Sequence, residues 1–156
     1  MFLKDKKVGD EGEEKVIQLL GNFGFPVQRT VGKNIKYDLE CEYFTIEVKN
    51  DIYAAKSGNL AIEFFNSKSN KPSGIMATEA DFWVHLACGS IFFCLVSELK
   101  EFLDNNTPDR IIQKGGDGNA SLMLYVLESM CPPFEELTKD NFNTKLRKLT
   151  KEDNVE

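Results

Sequence analysis

The chain has 156 residues, 42% hydrophobic and 28% charged, which are ordinary figures for one soluble globular domain with a real core. No apolar run approaches the ~20 residues needed to span a bilayer, and no apolar stretch follows the charged segment at Lys4–Lys7. No membrane-spanning helix is therefore expected, and a protein without a signal peptide, held inside the cell, is the expectation. The net charge of −6 speaks against a uniformly basic nucleic-acid binder but permits a local basic face.

Along the chain, Val16, Ile17, Leu20 and Phe23 recur at helical spacing and acids crowd the first turn, predicting an amphipathic helix over 8–23 that Gly21 and Gly24-Phe25-Pro26 end. Glu13 falls on its inward stripe, while Glu11 and Glu14 point outward. The plain alternative for Glu13 is a capping charge. Val27–Val31 predicts a strand, and Tyr37–Cys41 with Tyr43–Lys49 a hairpin. After a polar excursion over 50–59, Leu60–Phe65 predicts a fourth strand that carries Glu63. The 66–74 loop, rich in Asn, Ser and Lys, suits either a phosphate backbone or solvent. Asp81–Ala87 and Ser90–Val96 form a predicted strand pair across Cys88-Gly89, with Trp83 and the single His85 read as structural. Ser97 is the expected N-cap of a helix to Leu103.

Gly115-Gly116-Asp117-Gly118-Asn119 lacks the lysine of a phosphate-binding loop and reads as a hairpin turn between Ile111-Ile112 and a strand over 121–127. Phe134–Leu149 predicts a last helix, whose Lys145–Lys148 run reads as a solvated face, and 151–156 a disordered polar tail. Cys41, Cys88, Cys94 and Cys131 show no paired spacing, which predicts buried free thiols in a reducing compartment. With no repeat and no long linker, a single domain over 1–150 built on one central mixed sheet is expected, an α/β fold flanked by helices.

The chemistry concentrates in Lys36-Tyr37-Asp38-Leu39 and Glu47-Val48-Lys49. Strand alternation puts Glu47 and Lys49 on one face and Phe44, Ile46 and Val48 on the other, with Asp38 on the neighbouring strand. Two acids and an ammonium so arranged suit a Mg²⁺ site with a charged partner for an attacking water. The bland alternative is an edge strand with a charged solvent face. Other acid-x-Lys triplets, such as Glu98-Leu99-Lys100, lie in predicted helices, where residues two apart do not face each other.

The order of these pieces, Gly12-Glu13 on a helix, then Tyr37-Asp38, then Glu47-Val48-Lys49, resembles the PD-(D/E)XK nucleases. It is most like the small members related to Holliday junction resolvases and restriction-type endonucleases. Ser57–Phe64, Lys71–Ile75 and Thr78–Trp83 look like phage-encoded and intron-homing relatives. The likeness covers residues 8–96 and departs from the family name at Tyr37, where a proline would stand.

The resemblance implies a restriction-endonuclease-like fold and Mg²⁺- or Mn²⁺-dependent cleavage of DNA, duplex or branched, by a homodimer or larger homo-oligomer. It makes Asp38 and Glu47 metal ligands, Lys49 the group that orients the attacking water and offsets charge, and Glu13 a supporting helix acid. Glu63 becomes an auxiliary acid. Lys33, Lys36, Lys56, Lys68 and Lys71 are the candidate DNA contacts from the residues themselves. The competing expectation is a non-catalytic nuclease-like domain that binds nucleic acid or, given the acidic surface, a protein.

Overall fold

The computed structural model describes residues 2–32, 35–115, 118–126 and 133–153. In chain order these form α1 (Phe2–Asn22), β1 (Gln28–Arg29), β2 (Leu39–Glu40), β3 (Thr45–Asp51), α2 (Ala54–Ser57), β4 (Asn59–Asn66) and β5 (Lys71–Pro72). A 3₁₀ turn at Gly74–Met76 leads to β6 (Phe82–Ala87), β7 (Ser90–Leu95), α3 (Val96–Asn105), β8 (Arg110–Gly115), β9 (Ala120–Val126), β10 (Glu135–Glu136) and α4 (Lys139–Asp153).

The protein is α/β, with a mixed central sheet of order β1-β2-β3-β6-β7-β10. β3 and β6 run parallel and the remaining neighbours antiparallel. Against the expected single sheet, β4 leaves this array. It pairs with β9 and heads a second, antiparallel sheet of order β5-β4-β9-β8. The β3–β6 connection, which must cross over to make a parallel pair, thus carries two strands of the other sheet, β4 and β5.

Alternation along β3 and β6 divides the core in two. Ile46, Val48, Phe82 and Val84 face α1 and α4, where Val16, Leu20 and Phe142 close the first cluster. Phe142 packs edge-on or tilted against Phe25, Phe44, Phe82 and Phe93, with ring centroids 5.0 to 5.8 Å away. The opposite face of the central sheet, with Trp83 and Ala87, meets Leu60, Ile62 and Tyr125 of the second sheet and Leu99 of α3.

Several local expectations are corrected. α1 starts at Phe2, not residue 8: the charged first turns contain no breaker, and Lys7 and Glu11 make an i,i+4 pair at 4.0 Å. β1 and β2 shrink to two residues each, paired as Gln28↔Glu40 and Arg29↔Leu39, with one further backbone bond from the Thr30 N–H to the Asp38 carbonyl at 3.1 Å. Ser97 is not the cap of α3. Leu95 occupies that position, and the Glu98 carboxylate accepts its backbone N–H at 3.0 Å.

Residues 135–136 pair with β7, so the last helix starts only at Lys139, and it continues to Asp153 inside the expected tail. Cys94 is buried as expected, but Cys88 is exposed in the β6–β7 turn; Cys131 lies outside the described residues. No helix among the described residues is long and apolar enough to cross a membrane.

Candidate active site

Asp38 precedes β2 by one residue, at the point where the β2–β3 hairpin opens. Its carboxylate accepts the Val48 N–H at 2.8 Å, which pins it on β3 midway between Glu47 and Lys49. Burial raises its pKa, although the Val48 bond and the Lys49 charge pull the other way. Glu47 reaches the Lys49 ammonium at 3.4 Å with one oxygen and accepts the Thr78 hydroxyl at 3.3 Å with the other. Burial pushes it up to about 7; Lys49 opposes that rise and Asp38 adds to it. For Lys49, burial favours the neutral amine, but the carboxylates of Glu47, Glu63 and Asp38 outweigh it and raise the pKa. Lys49 is therefore an ammonium at neutral pH.

Glu13 arrives from α1, and Gly12 is what lets it approach. A Cβ on Gly12 would stand 2.8 Å from the Asn50 Cβ, so only glycine lets α1 lie this close to β3. Asn50 also donates to the Val8 carbonyl at 2.9 Å, tying the same two elements. Glu13 pairs with Arg29 at 3.4 Å. Its pKa is raised by burial and then by Asp38, against the Arg29 charge.

Glu63 arrives from the second sheet at a bulge in the β4–β9 ladder, the kind of irregularity that re-aims a side chain. Gly74 sits against that point with φ +53°, and a Cβ there would overlap the Glu63 carbonyl.

These side chains line two adjoining cavities that share Asp38. One, of about 380 Å³, holds Glu13, Lys49, Asp51, Glu63 and His85, with Ile52 and Tyr53 also on its wall. The other, of about 270 Å³, holds Glu47, Lys36, Ser73 and Thr78. Ser73 carries a buried hydroxyl without a hydrogen-bond partner.

The structure brings together all five acid and lysine candidates, Glu13, Asp38, Glu47, Lys49 and Glu63. The lysines proposed for DNA are more scattered. Lys36 lines the second cavity and stands 3.9 Å from Glu79. Lys71 adjoins Pro72 on the same cavity, Lys56 and Lys68 are exposed and line neither, and Lys33 lies outside the described residues. The 50–59 and 66–74 segments both border the site, through Ile52 and Tyr53 at the first cavity and Pro72 to Gly74 at the second.

Sequence reasoning missed Asp51, Thr78 and Arg29. Asp51 was within reach, since it shares strand parity with Glu47 and Lys49; Thr78 and Arg29 carry no such signal. His85 was read as structural, and it is fully buried, yet it lines the first cavity between Asp51 and Trp83.

Among the described residues, no group of three or more His, Cys, Asp or Glu side chains stands ready to hold a metal ion. Mg²⁺ does not need one: it keeps several waters and takes one or two carboxylates plus substrate phosphate. Asp38 and Glu47, the first near enough to raise the pKa of the second, match that donor set in number and hardness. No family model, curated protein or solved structure matches this chain.

Proposed function

We propose that the protein is a Mg²⁺-dependent DNA endonuclease of the PD-(D/E)XK type, serving a phage or mobile element, on a restriction-endonuclease-like core. The observation that carries this is the Asp38–Glu47–Lys49 cluster. A carboxylate fixed by a backbone N–H and a second carboxylate kept protonatable near neutrality surround one ammonium, in a cleft between two sheets.

Asp38 and Glu47 would hold the ion. When bound, Mg²⁺ supplies an acidified water and offsets charge on the phosphate. Lys49, kept cationic by three carboxylates, stabilises the pentavalent phosphorus and orients the attacking oxygen rather than accepting its proton. Glu13 and Glu63 add negative field around that ammonium and the Asp38 side. Ser73 and Lys36, on the second cavity, offer a hydroxyl and a cation to an adjacent phosphate.

Uncompensated carboxylates repel DNA, so affinity for DNA is expected to rise on adding Ca²⁺, which supports binding without efficient cutting. Symmetric duplex cleavage requires two such sites and hence a homodimer or larger homo-oligomer.

The deciding experiment is cleavage of plasmid and branched DNA in Mg²⁺, Mn²⁺ or EDTA, with wild type beside Asp38→Ala. Metal-dependent cutting that Asp38→Ala abolishes supports the proposal. A second reading, a non-catalytic nuclease-like domain that binds nucleic acid or protein, is favoured by the −6 net charge and by the dispersal of Lys56 and Lys68. It gains if no substrate is cut and no divalent ion raises the melting temperature.

A further inference from the structure

Behind Lys49 runs a line of polar contacts that no step above uses. The parallel register of β3 and β6 sets Trp83 beside Glu47 and His85 beside Lys49. Trp83 is fully buried, and its ring lies under the Lys49 ammonium, 5.7 Å from Nζ to centroid. Its indole N–H donates to His85 Nδ1 at 3.2 Å. An indole nitrogen can only donate, so Nδ1 accepts and Nε2 carries the proton that meets Asp51 Oδ2 at 3.0 Å. That same oxygen accepts the Ala61 N–H at 2.9 Å, on the strand that bears Glu63.

Packing alone does not call for this arrangement. A leucine or phenylalanine would fill the Trp83 position without an N–H to satisfy, and a buried His–Asp pair must overcome desolvation. The network fixes the plane of an aromatic ring whose electron-rich face attracts a cation. Lys49 needs such a platform. Its flexible stem carries a charge that meets Glu47 at 3.4 Å and is also drawn toward Glu63 and Asp38, and a fixed ring face beneath the ammonium restricts where the stem can place it.

We propose that Trp83 is a positioning residue for Lys49, with its ring held under the ammonium by the His85–Asp51 pair. The catalytic consequence rests on the nuclease reading; the positioning itself does not.

The test uses the intact protein carrying ¹³C-labelled lysine, with the Lys49 ε-methylene resonance assigned through Lys49→Arg. Wild type is expected to show that resonance displaced upfield by the ring, Trp83→Phe to keep part of the displacement, and Trp83→Leu to lose it. A Lys49 resonance at the free-lysine position in wild type, or one that both variants leave unchanged, overturns the proposal. Trp83→Phe retains a ring and most of the volume, so the series stays informative if Trp83→Leu does not fold.

On DNA that wild type cuts, kcat is expected to fall roughly two- to threefold in Trp83→Phe and roughly tenfold, or about 1.4 kcal/mol, in Trp83→Leu, with KM within about twofold. Losses that follow melting temperature rather than ring character would mark Trp83 as core filling and overturn the proposal. If wild type cuts no DNA, the nuclease reading fails, and the lysine spectra alone decide whether Trp83 holds Lys49.

Discussion

Two clusters of buried charge in this molecule are built from the same residue types and have opposite characters. Between α3 and α4, Glu98 faces Lys145 at 2.6 Å, Lys148 at 3.4 Å and the Leu95 N–H. Although burial works against the charge, these partners win and hold the Glu98 carboxyl below its ordinary range. In the cleft, Glu47, Asp38 and Glu63 share Lys49, and the pKa values of Glu47 and Asp38 rise instead. The first cluster is satisfied within the chain and serves as a tie between helices. The second sets several carboxylates around Lys49, an imbalance that a divalent cation would offset under the proposed function. Charge balance, more than burial, sets the direction in which the carboxyl groups of the two clusters shift.

The sharpest way to break that contrast is to remove the Lys49 ammonium. Lys49→Ala is expected to lower DNA cleavage by at least about a hundredfold, the usual scale for losing an electrostatic stabiliser, while Ca²⁺-assisted DNA binding measured by anisotropy stays within severalfold. Binding and cleavage falling together would instead assign Lys49 to holding the DNA.

The next effect is on stability. Glu47 rises from 4.5 to about 7 on folding, so its contribution is fully present below pH 4.5 and is lost as pH climbs through 7. That loss is worth up to about 3 kcal/mol. Metal-free protein should melt higher at pH 5.5 than at pH 8, and Glu47→Gln should flatten the difference. Saturating Mg²⁺ at pH 8 should restore about 2.7 kcal/mol at a hundred times its dissociation constant. A melting temperature that ignores both Mg²⁺ and Glu47→Gln would contradict a cation-deficient cleft.

Much of the site was legible because alternation along a strand is a strict rule. Glu47 and Lys49 share a face, Ile46 and Val48 bury on the other, and a hairpin brings Asp38 alongside, as the sequence pattern implied. The helix period likewise put Glu13 on the inward side. Long-range pairing was not legible. Leu60–Phe65 has the same strand character whether it joins the central sheet or, as here, pairs with β9. Nothing local states that choice, and it is what sets Glu63 across the cleft.

The parallel register that seats Trp83 beside Glu47 and His85 beside Lys49 is equally non-local. Short elements failed for a different reason. At Glu135–Glu136 two acids with helix-favouring character pair as a strand, because β7 offers an open edge and Phe134 and Leu137 are buried on either side. Lys145 was read as solvated because its charge run looks like a helix surface; only the position of α3 turns it inward.

The smaller predictions concern the balanced cluster and run in the opposite pH direction. Because the Glu98 pKa is lowered on folding, its contribution is present above its unfolded value near 4.5 and is lost as pH falls through the folded one. Lys145→Met removes the closest partner from a half-buried carboxylate. It is expected to cost about 1–3 kcal/mol in urea unfolding at pH 7, less at pH 4, with no effect on cleavage.

Lys148→Ala should cost no more than about 0.5 kcal/mol, since that ammonium is half exposed and 3.4 Å away. The ratio of the two losses is the informative quantity. A large loss for Lys145 and a negligible one for Lys148 means that one buried ammonium suffices to balance one carboxylate. The cleft differs in that Lys49, paired with Glu47, also faces the charges of Glu63 and Asp38. Equal losses would mean that Glu98 also needs more than one cation, and the distinction between the two clusters would become one of degree.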